Sequence, residues 1–301
     1  RAVTSGAWVI DEISGVSPNG ETAFVEGWRD DPRERHLFAV TLADGAVRRI
    51  TEPGGVWSAT LSADGRAFIA TYSDPDTPPR TALYSIDGER RAWIVENALK
   101  DDHPYAPHLD SHLTPQFGSL TAADGQTELY WSMLKPDHCS AETPCPAIVQ
   151  VYGGPLVQTV RRSWTSPRDQ LFADKGYVLF KLDNRGSWNR GHAFEAALHE
   201  RMGTVEADDQ LEGLSYLESL DFVDADRIGL WGWSYGGYMT LMTTLQAPGR
   251  FDAAVAGAPV TDWALYDTHY TERYMGMPQA NAAGYEQAPP SPIWTDMKRR
   301  P

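Results

Sequence analysis

One serine in the chain has the surroundings of a catalytic nucleophile. Ser234 lies in the run RIGLWGWSYGGYM at residues 227–239, with Gly232 two positions before it and Gly236 two positions after it. The apolar run before the serine is typical of a buried strand, and the residues after it are typical of a helix. Glycines at this spacing let the two backbones pack closely and leave the hydroxyl at the tip of a sharp turn. Such a hydroxyl can attack a carbonyl carbon once a base removes its proton.

A nucleophilic serine also needs hydrogen-bond donors for the negative charge that develops on the substrate oxygen. The backbone N–H of Tyr235, the residue after the serine, is one predicted donor. The second is expected from the loop after an earlier strand, and the YGGP sequence at residues 152–155 is the candidate. The phenol hydroxyl of Tyr152 could donate there, as side chains do in other oxyanion holes. An aromatic ring that only caps the sheet is the alternative interpretation.

The elements that must position these residues alternate between strands and helices from Leu120 onward. Apolar runs predict four strands, and amphipathic stretches between them predict two helices. The strands are expected at 129–134, 147–152, 177–182 and 253–257, and the helices near 170–175 and 205–220. This alternation predicts an α/β-hydrolase domain, a largely parallel sheet with helices on both faces.

Residues 1 to about 110 have a different pattern, that of short β-strands separated by tight turns. Alternating runs occur at 22–28, 37–42 and 67–72. The turn SPNG at 17–20 recurs as SADG at 62–65, and the offset of 45 residues matches one four-stranded propeller blade. A generic antiparallel meander is the alternative. We predict the last blades of a β-propeller at 1–115 and an α/β-hydrolase domain at 116–301, with further blades upstream because two copies cannot close a ring.

Composition excludes several classes of function. The net charge of −15 argues against a nucleic-acid partner, because contact with phosphates needs basic surface. No run of about 18 apolar residues occurs, so no membrane span is expected. The N-terminus has no initiator Met and no apolar signal region, so the sequence is expected to be the middle of a longer protein.

Two cysteines, Cys139 and Cys145, lie in a proline-bounded loop. They could close a small disulfide, which would favour a periplasmic or exported protein over a cytoplasmic one. Two free loop thiols are the alternative, and the sequence leaves both open.

Four motifs together resemble the dipeptidyl peptidase IV family of the prolyl oligopeptidase superfamily. They are VYGGP at 151–155, DNRGS at 183–187, GWSYGGY at 232–238 and YDTHYTERYMG at 266–276. The resemblance covers nearly the whole chain and implies a propeller followed by a hydrolase domain.

The resemblance assigns roles to individual residues. Ser234 matches the nucleophile and Tyr152 the oxyanion-hole tyrosine, while the walls of the pocket for a proline ring match Tyr235, Val260, Trp263, Tyr266 and Tyr270. An aromatic slot suits a compact apolar ring. The implied activity is release of dipeptides from peptides with a free N-terminus, with Pro or Ala in the penultimate position, through an acyl-enzyme on Ser234. No metal or organic cofactor is implied, and a homodimer is possible.

Two features depart from the family. Its catalytic Asp and His follow the serine at a distance, whereas only 67 residues follow Ser234 here. Its paired glutamates, which bind the substrate amine, have no counterpart, because the chain contains no Glu-Glu pair. We therefore expect a C-terminally truncated, inactive fragment, with a frameshift or artificial gene end near residue 290.

Two other functions remain open at this point. One is an esterase or acylaminoacyl peptidase on the same fold, against which the motif at 266–276 argues. The other is a non-catalytic binding protein that uses the propeller, against which the complete elbow and oxyanion motif argue.

Overall fold

The computed structural model describes residues 2–290. The chain divides into two units. Unit 1 comprises the chain up to Thr114 together with Arg161–Ser166, and unit 2 comprises Pro115–Val160 and the described chain from Pro167 onward. No helix in the described range is long and apolar enough to span a bilayer. The proposed gene end concerns residues that lie mostly outside the described range.

Unit 1 contains two four-stranded antiparallel sheets, each a meander in chain order. The first consists of β1 (Val9–Val16), β2 (Thr22–Trp28), β3 (His36–Thr41) and β4 (Val47–Arg49), and the second of β5 (Val56–Leu61), β6 (Ala67–Asp74), β7 (Thr77–Ser85) and β8 (Arg90–Val95). The repeated turn joins the first two strands of each sheet. Gly20 and Gly65 occupy the same place in it, with φ of 70° and 63°. The repeat therefore marks successive propeller blades, as predicted.

Strand β2 is buried on both faces rather than alternately, since Phe24, Val25 and Glu26 are all almost inaccessible. The buried Glu26 belongs to an ionic cluster centred on Arg35. The Arg35 guanidinium contacts Asp11 at 2.9 Å, Glu26 at 3.0 Å and Glu12 at 3.1 Å. Burial raises the pKa of Asp11 and of Glu26, and the charge of Arg35 opposes both shifts. This cluster ties β1 and β2 to the start of β3.

Unit 2 is built on a six-stranded sheet with the order β14-β13-β11-β12-β10-β9. Its strands are β9 (Gln116–Thr121), β10 (Glu128–Leu134), β11 (Cys145–Gln150), β12 (Val178–Leu182), β13 (Val223–Trp233) and β14 (Ala253–Gly257). Its helices are α1 (Pro167–Asp174), α2 (His192–Glu195), α3 (Val205–Glu218), α4 (Tyr235–Gln246), α5 (Thr268–Met275) and α6 (Ala282–Gln287). The strands β11, β12, β13 and β14 are parallel to one another. At the edge of the sheet, β10 pairs antiparallel with β12, and β9 pairs antiparallel with β10.

Helices cover both faces of this sheet, which the contacts of β12 demonstrate. Lys181 forms an ion pair of 2.7 Å with Asp169 of α1. Its neighbour Leu182 packs against Gly213 of α3, where an added Cβ would lie 2.8 Å from the leucine side chain. Because successive strand residues point to opposite faces, α1 and α3 lie on opposite sides. The predicted α/β-hydrolase architecture is thus confirmed.

The loop before β11 is closed by a disulfide between Cys139 and Cys145, which resolves the alternative left open by the sequence. Both cysteines are buried. Among the described residues, His138 and these two cysteines form the only cluster with metal-ligand proximity. The sulfur atoms are already bonded to each other.

Candidate active site

The turn that carries Ser234 joins β13 directly to α4. Ser234 has φ 59° and ψ −118°, a left-handed conformation that non-glycine residues rarely adopt and that is common at functional sites. Its N–H donates to the carbonyl of Gly257 at 2.9 Å. A Cβ on Gly232 would lie 2.3 Å from the carbonyl oxygen of Gly236, so the strand and helix cross too closely for a side chain there. The turn is therefore a nucleophile elbow.

The Ser234 side chain is half-buried. Within residues 2–290, its hydroxyl neither donates nor accepts a hydrogen bond. His269, the only histidine after it, is exposed on α5 and lies 3.4 Å from the guanidinium of Arg273. The nearby acids Asp262 and Asp267 accept hydrogen bonds from the backbone N–H groups of residues two and three positions later. They act as caps of short helices, which is a common role for aspartate.

Tyr152 lies just beyond β11, which ends at Gln150 rather than at the predicted residue 152. The strand ends early because the chain turns sharply at Gly153, where φ is 75°. This turn places the Tyr152 ring 6.0 Å from the ring of Tyr235, beside the elbow. Burial raises the pKa of Tyr152, with added contributions from Tyr266 and Tyr274. The phenol therefore keeps its proton at neutral pH and can act as a donor.

The loop that carries Tyr152 is anchored by polar residues at the end of β12. The amide nitrogen of Asn184 donates to the carbonyl of Gly153 at 2.9 Å, and its amide oxygen accepts from Gln210 of α3 at 2.8 Å. The carboxylate of Asp183 accepts from the backbone N–H of Thr159 at 2.8 Å and of Val160 at 2.9 Å. Sequence reasoning singled out 183–187 only as a family motif and did not find this role.

Arg185 in the same motif has a structural role. Its guanidinium contacts Asp209 at 2.7 Å and Asp124 at 3.0 Å. Asp209 is fully buried and also accepts from the Arg185 backbone at 2.9 Å. Two parallel bonds from an arginine fork to one carboxylate give a geometrically defined link, here between α3 and the end of β12.

Four of the five predicted pocket residues, Tyr235, Trp263, Tyr266 and Tyr270, form one aromatic cluster. Trp263 is its centre, 5.5 Å from Tyr235, 5.8 Å from Tyr266 and 6.0 Å from Tyr270 between ring centroids. Trp263 and Tyr235 are almost completely buried, whereas Tyr266 is 44% exposed. Tyr270 and Val260 are half-buried and pack against the same core. Tyr152, Tyr266, Tyr270 and Val260 therefore retain accessible surface, whereas Trp263 and Tyr235 do not.

A buried carboxyl behind the elbow is a residue that sequence reasoning missed. Glu206, in the first turn of α3, is completely inaccessible. Its Oε1 accepts from the Tyr235 hydroxyl at 2.5 Å and from the Gly203 N–H at 2.9 Å, while Oε2 is buried without a partner. Glu206 and Asp208 are acidic residues in the first turn of α3, where carboxylates commonly favour the helix N-terminus without being buried.

Glu206 should make the stability of the protein depend on pH. Burial raises its pKa to about 7 from an ordinary 4.5, so the folded state binds the proton more tightly than the unfolded chain. The stability from this group is full below pH 4.5 and is lost as the pH rises to about 7. The loss amounts to about 3 kcal/mol. We expect Glu206→Gln to remove this decrease in the free energy of unfolding with rising pH, as measured by urea unfolding between pH 4.5 and 8.

The matched control is Glu212→Gln, on the exposed side of the same helix. Its unfolding curve should keep the pH dependence of the unaltered protein. Parallel stability profiles for the Glu206→Gln variant and the unaltered protein would contradict the prediction.

The strand order of the sheet and the serine elbow at the end of a parallel strand define unit 2 as an α/β-hydrolase domain. Sequence comparison gives the family. The profile described as "Prolyl oligopeptidase family" matches residues 163–298, and that described as "Dipeptidyl peptidase IV (DPP IV) N-terminal region" matches residues 1–79. The chain belongs to the dipeptidyl peptidase IV family of the prolyl oligopeptidase superfamily.

Individual relatives agree with this assignment. Dipeptidyl peptidase 8 of Homo sapiens is 39% identical over 299 residues, covering 94% of this chain and 33% of that protein. Probable dipeptidyl peptidase 4 of Aspergillus flavus is 31% identical over 293 residues, covering 94% and 37%. The crystal structure of Porphyromonas gingivalis dipeptidyl peptidase 4 matches with a TM-score of 0.88 and 31% identity, over 96% of this chain and 40% of that one. The chain thus spans about a third of the length of its curated relatives.

Proposed function

We propose that the protein carrying this chain is a serine exopeptidase that releases dipeptides from free peptide N-termini. The observation that carries the proposal is the left-handed backbone conformation of Ser234, with φ 59°, at the tip of the elbow. Tyr152 and the aromatic cluster lie beside this elbow. Dipeptidyl peptidases among its relatives support the same reaction. Ser234 attacks the carbonyl after the penultimate residue and forms an acyl-enzyme, which water then hydrolyses.

The residues around Ser234 have separate roles in this reaction. The Tyr152 hydroxyl and the Tyr235 N–H donate to the oxyanion, which stabilises the negative charge that develops on the intermediate. Tyr266, Tyr270 and Val260 contact the penultimate side chain. Flat aromatic faces favour proline, which is compact and apolar, and they admit alanine with less contact area.

A base must take the proton from Ser234 before it can attack. In this fold the acid and the histidine follow the nucleophile in chain order, and no residue in the described range donates to or accepts from the Ser234 hydroxyl. We therefore propose that the 301-residue polypeptide by itself is inactive. The activity belongs to the product of the complete open reading frame, for which the homodimer implied by family resemblance remains a prediction.

The test is an assay of two proteins against three substrates. The product of the complete reading frame and the isolated 301-residue polypeptide are each given Gly-Pro-anilide, N-acetylated Gly-Pro-anilide and a p-nitrophenyl ester. We expect only the longer protein to act, and only the anilide with a free amine to be cleaved efficiently. Cleavage of the ester or the acetylated anilide alone would favour an esterase or acylaminoacyl peptidase. No turnover of any substrate by either protein would favour a binding protein.

A further inference from the structure

Glu206 and Tyr235 form a buried pair directly behind the nucleophile. The tyrosine hydroxyl donates to the carboxyl at 2.5 Å, and both side chains are almost completely inaccessible. The same carboxyl oxygen accepts from the backbone N–H of Gly203 at 2.9 Å, so the turn before α3 also holds the carboxyl. The bond crosses from α3 to α4, two helices otherwise joined through side-chain packing.

Tyr235 contacts several parts of the candidate site. Its backbone N–H follows Ser234 and is the predicted oxyanion donor. Its ring packs against Gly154 of the oxyanion loop, where a Cβ would lie 2.4 Å from the ring. The centroid of the same ring lies 5.3 Å from the ring centroid of Tyr238 and 5.5 Å from that of Trp263. A rotation of this ring would therefore displace the oxyanion loop and the pocket together.

Helix α4 has further polar contacts at this end: the Ser234 N–H donates to the carbonyl of Gly257 at 2.9 Å, and the Tyr238 hydroxyl donates to the carbonyl of Ala288 at 2.8 Å. The residue before it, Ser234, makes no side-chain capping bond, as a nucleophile must not. The bond from the Tyr235 hydroxyl to Glu206 differs from these contacts because Tyr235 also carries the predicted oxyanion N–H.

We propose that Glu206 is a positioning residue for the nucleophile elbow: through the Tyr235 hydroxyl it sets the orientation of the oxyanion donor and of the pocket wall. This inference rests on the proposed function. Glu206 does not touch the substrate, so its removal should lower kcat through misplacement of Tyr235. A displacement of the order of 1 Å at a catalytic group can reduce rates about 100-fold.

The test measures kcat and KM for Gly-Pro-anilide in the product of the complete reading frame. Glu206→Leu removes the acceptor, Glu206→Gln keeps an acceptor oxygen at the same place, and Tyr235→Phe removes the donor but keeps the ring. We expect kcat to fall about 100-fold for the leucine and phenylalanine variants, with a smaller change in KM. The glutamine variant should recover to within about tenfold, because the hydrogen bond to the tyrosine is retained.

The combined variant Glu206→Leu/Tyr235→Phe decides whether the two residues act as one unit. Coupled residues give a double variant no slower than the worse single variant, whereas independent ones give multiplied losses. Glu212→Leu, on the exposed side of α3, is the control and should keep the original kcat. If the leucine variant does not fold, the glutamine and phenylalanine variants still provide the comparison.

Separate results overturn the inference and the proposed function. Full kcat in the Glu206→Leu variant, or multiplied losses in the double variant, would refute the positioning role while leaving the peptidase intact. If the unaltered protein neither releases dipeptides nor reacts with a fluorophosphonate at Ser234, the proposed function fails and the inference fails with it.

Discussion

Replacement of Ser234 by alanine should lower kcat for dipeptide release on the order of a million-fold. The hydroxyl is the only nucleophile at the tip of the elbow, and its position depends on backbone geometry that alanine can adopt equally well. The fold and the substrate pocket should therefore survive, and KM should change little. The measurement is Gly-Pro-anilide turnover by the product of the complete reading frame.

Covalent labelling is a second test of Ser234 as the nucleophile. A fluorophosphonate should modify Ser234 alone, as peptide mass spectrometry would show, and the alanine variant should remain unlabelled. The matched control is Ser215→Ala, an exposed serine on α3, which should retain full turnover and labelling. Activity within a hundredfold of the original enzyme in the Ser234→Ala variant would mean that another group performs the chemistry.

The sequence predicted the architecture well wherever local pattern decides structure. β14 occupies 253–257 as expected, because a short apolar run between Asp252 and Pro259 leaves room for one strand. Helix α3 ends at Glu218 instead of residue 220, since Ser219 turns back and its hydroxyl donates to the carbonyl of Tyr216. Such differences of one or two residues are ordinary at helix ends.

The site was predictable to the extent that its residues are adjacent in the chain or belong to a motif. Ser234 and Tyr235 follow from the elbow, and Tyr152 from its position after a strand. Glu206 was missed because its partner lies 29 residues away in sequence. A signal existed: the buried face of α3, traced back from Leu217 in steps of three and four residues, passes through positions 214, 213, 210, 209 and 206. Three of these are polar, which indicates a buried polar network.

The ionic cluster of unit 1 could not be predicted, and the reason is a local irregularity. β1 slips in register against β2 between Ile10 and Glu12, so Asp11 leaves the alternation that sequence patterns rely on. Glu26 lies in a run whose alternation suggested a half-exposed strand, yet the second blade covers it, and the backbone N–H of Ala59 donates to its carboxylate at 3.1 Å.

That cluster gives the largest expected change in stability. Arg35→Met should lower the free energy of unfolding of unit 1 by about 3–5 kcal/mol, because removal of one partner leaves buried charges without compensation. Both Asp11 and Glu26 have side chains only 2% exposed, so water cannot replace the guanidinium. The change can be measured by proteolysis at increasing urea, with mass spectrometry assigning the cleaved sites to residues 2–114.

Arg48→Met is the matched control. Arg48 lies on the neighbouring strand β4 and faces Asp87 at 3.8 Å, with both side chains more than half exposed, and exposed pairs of this kind contribute at most about 1 kcal/mol. A loss below about 1 kcal/mol for Arg35→Met, equal to that of the control, would show that Asp11 and Glu26 tolerate burial without the arginine by taking up protons.

The loss of stability in the Arg35→Met variant should also depend on pH. Raised pKa values already favour protonation of Asp11 and Glu26, so the loss should become smaller as the pH is lowered toward 4. At neutral pH both carboxylates need the cation, and the full effect of the substitution is expected there.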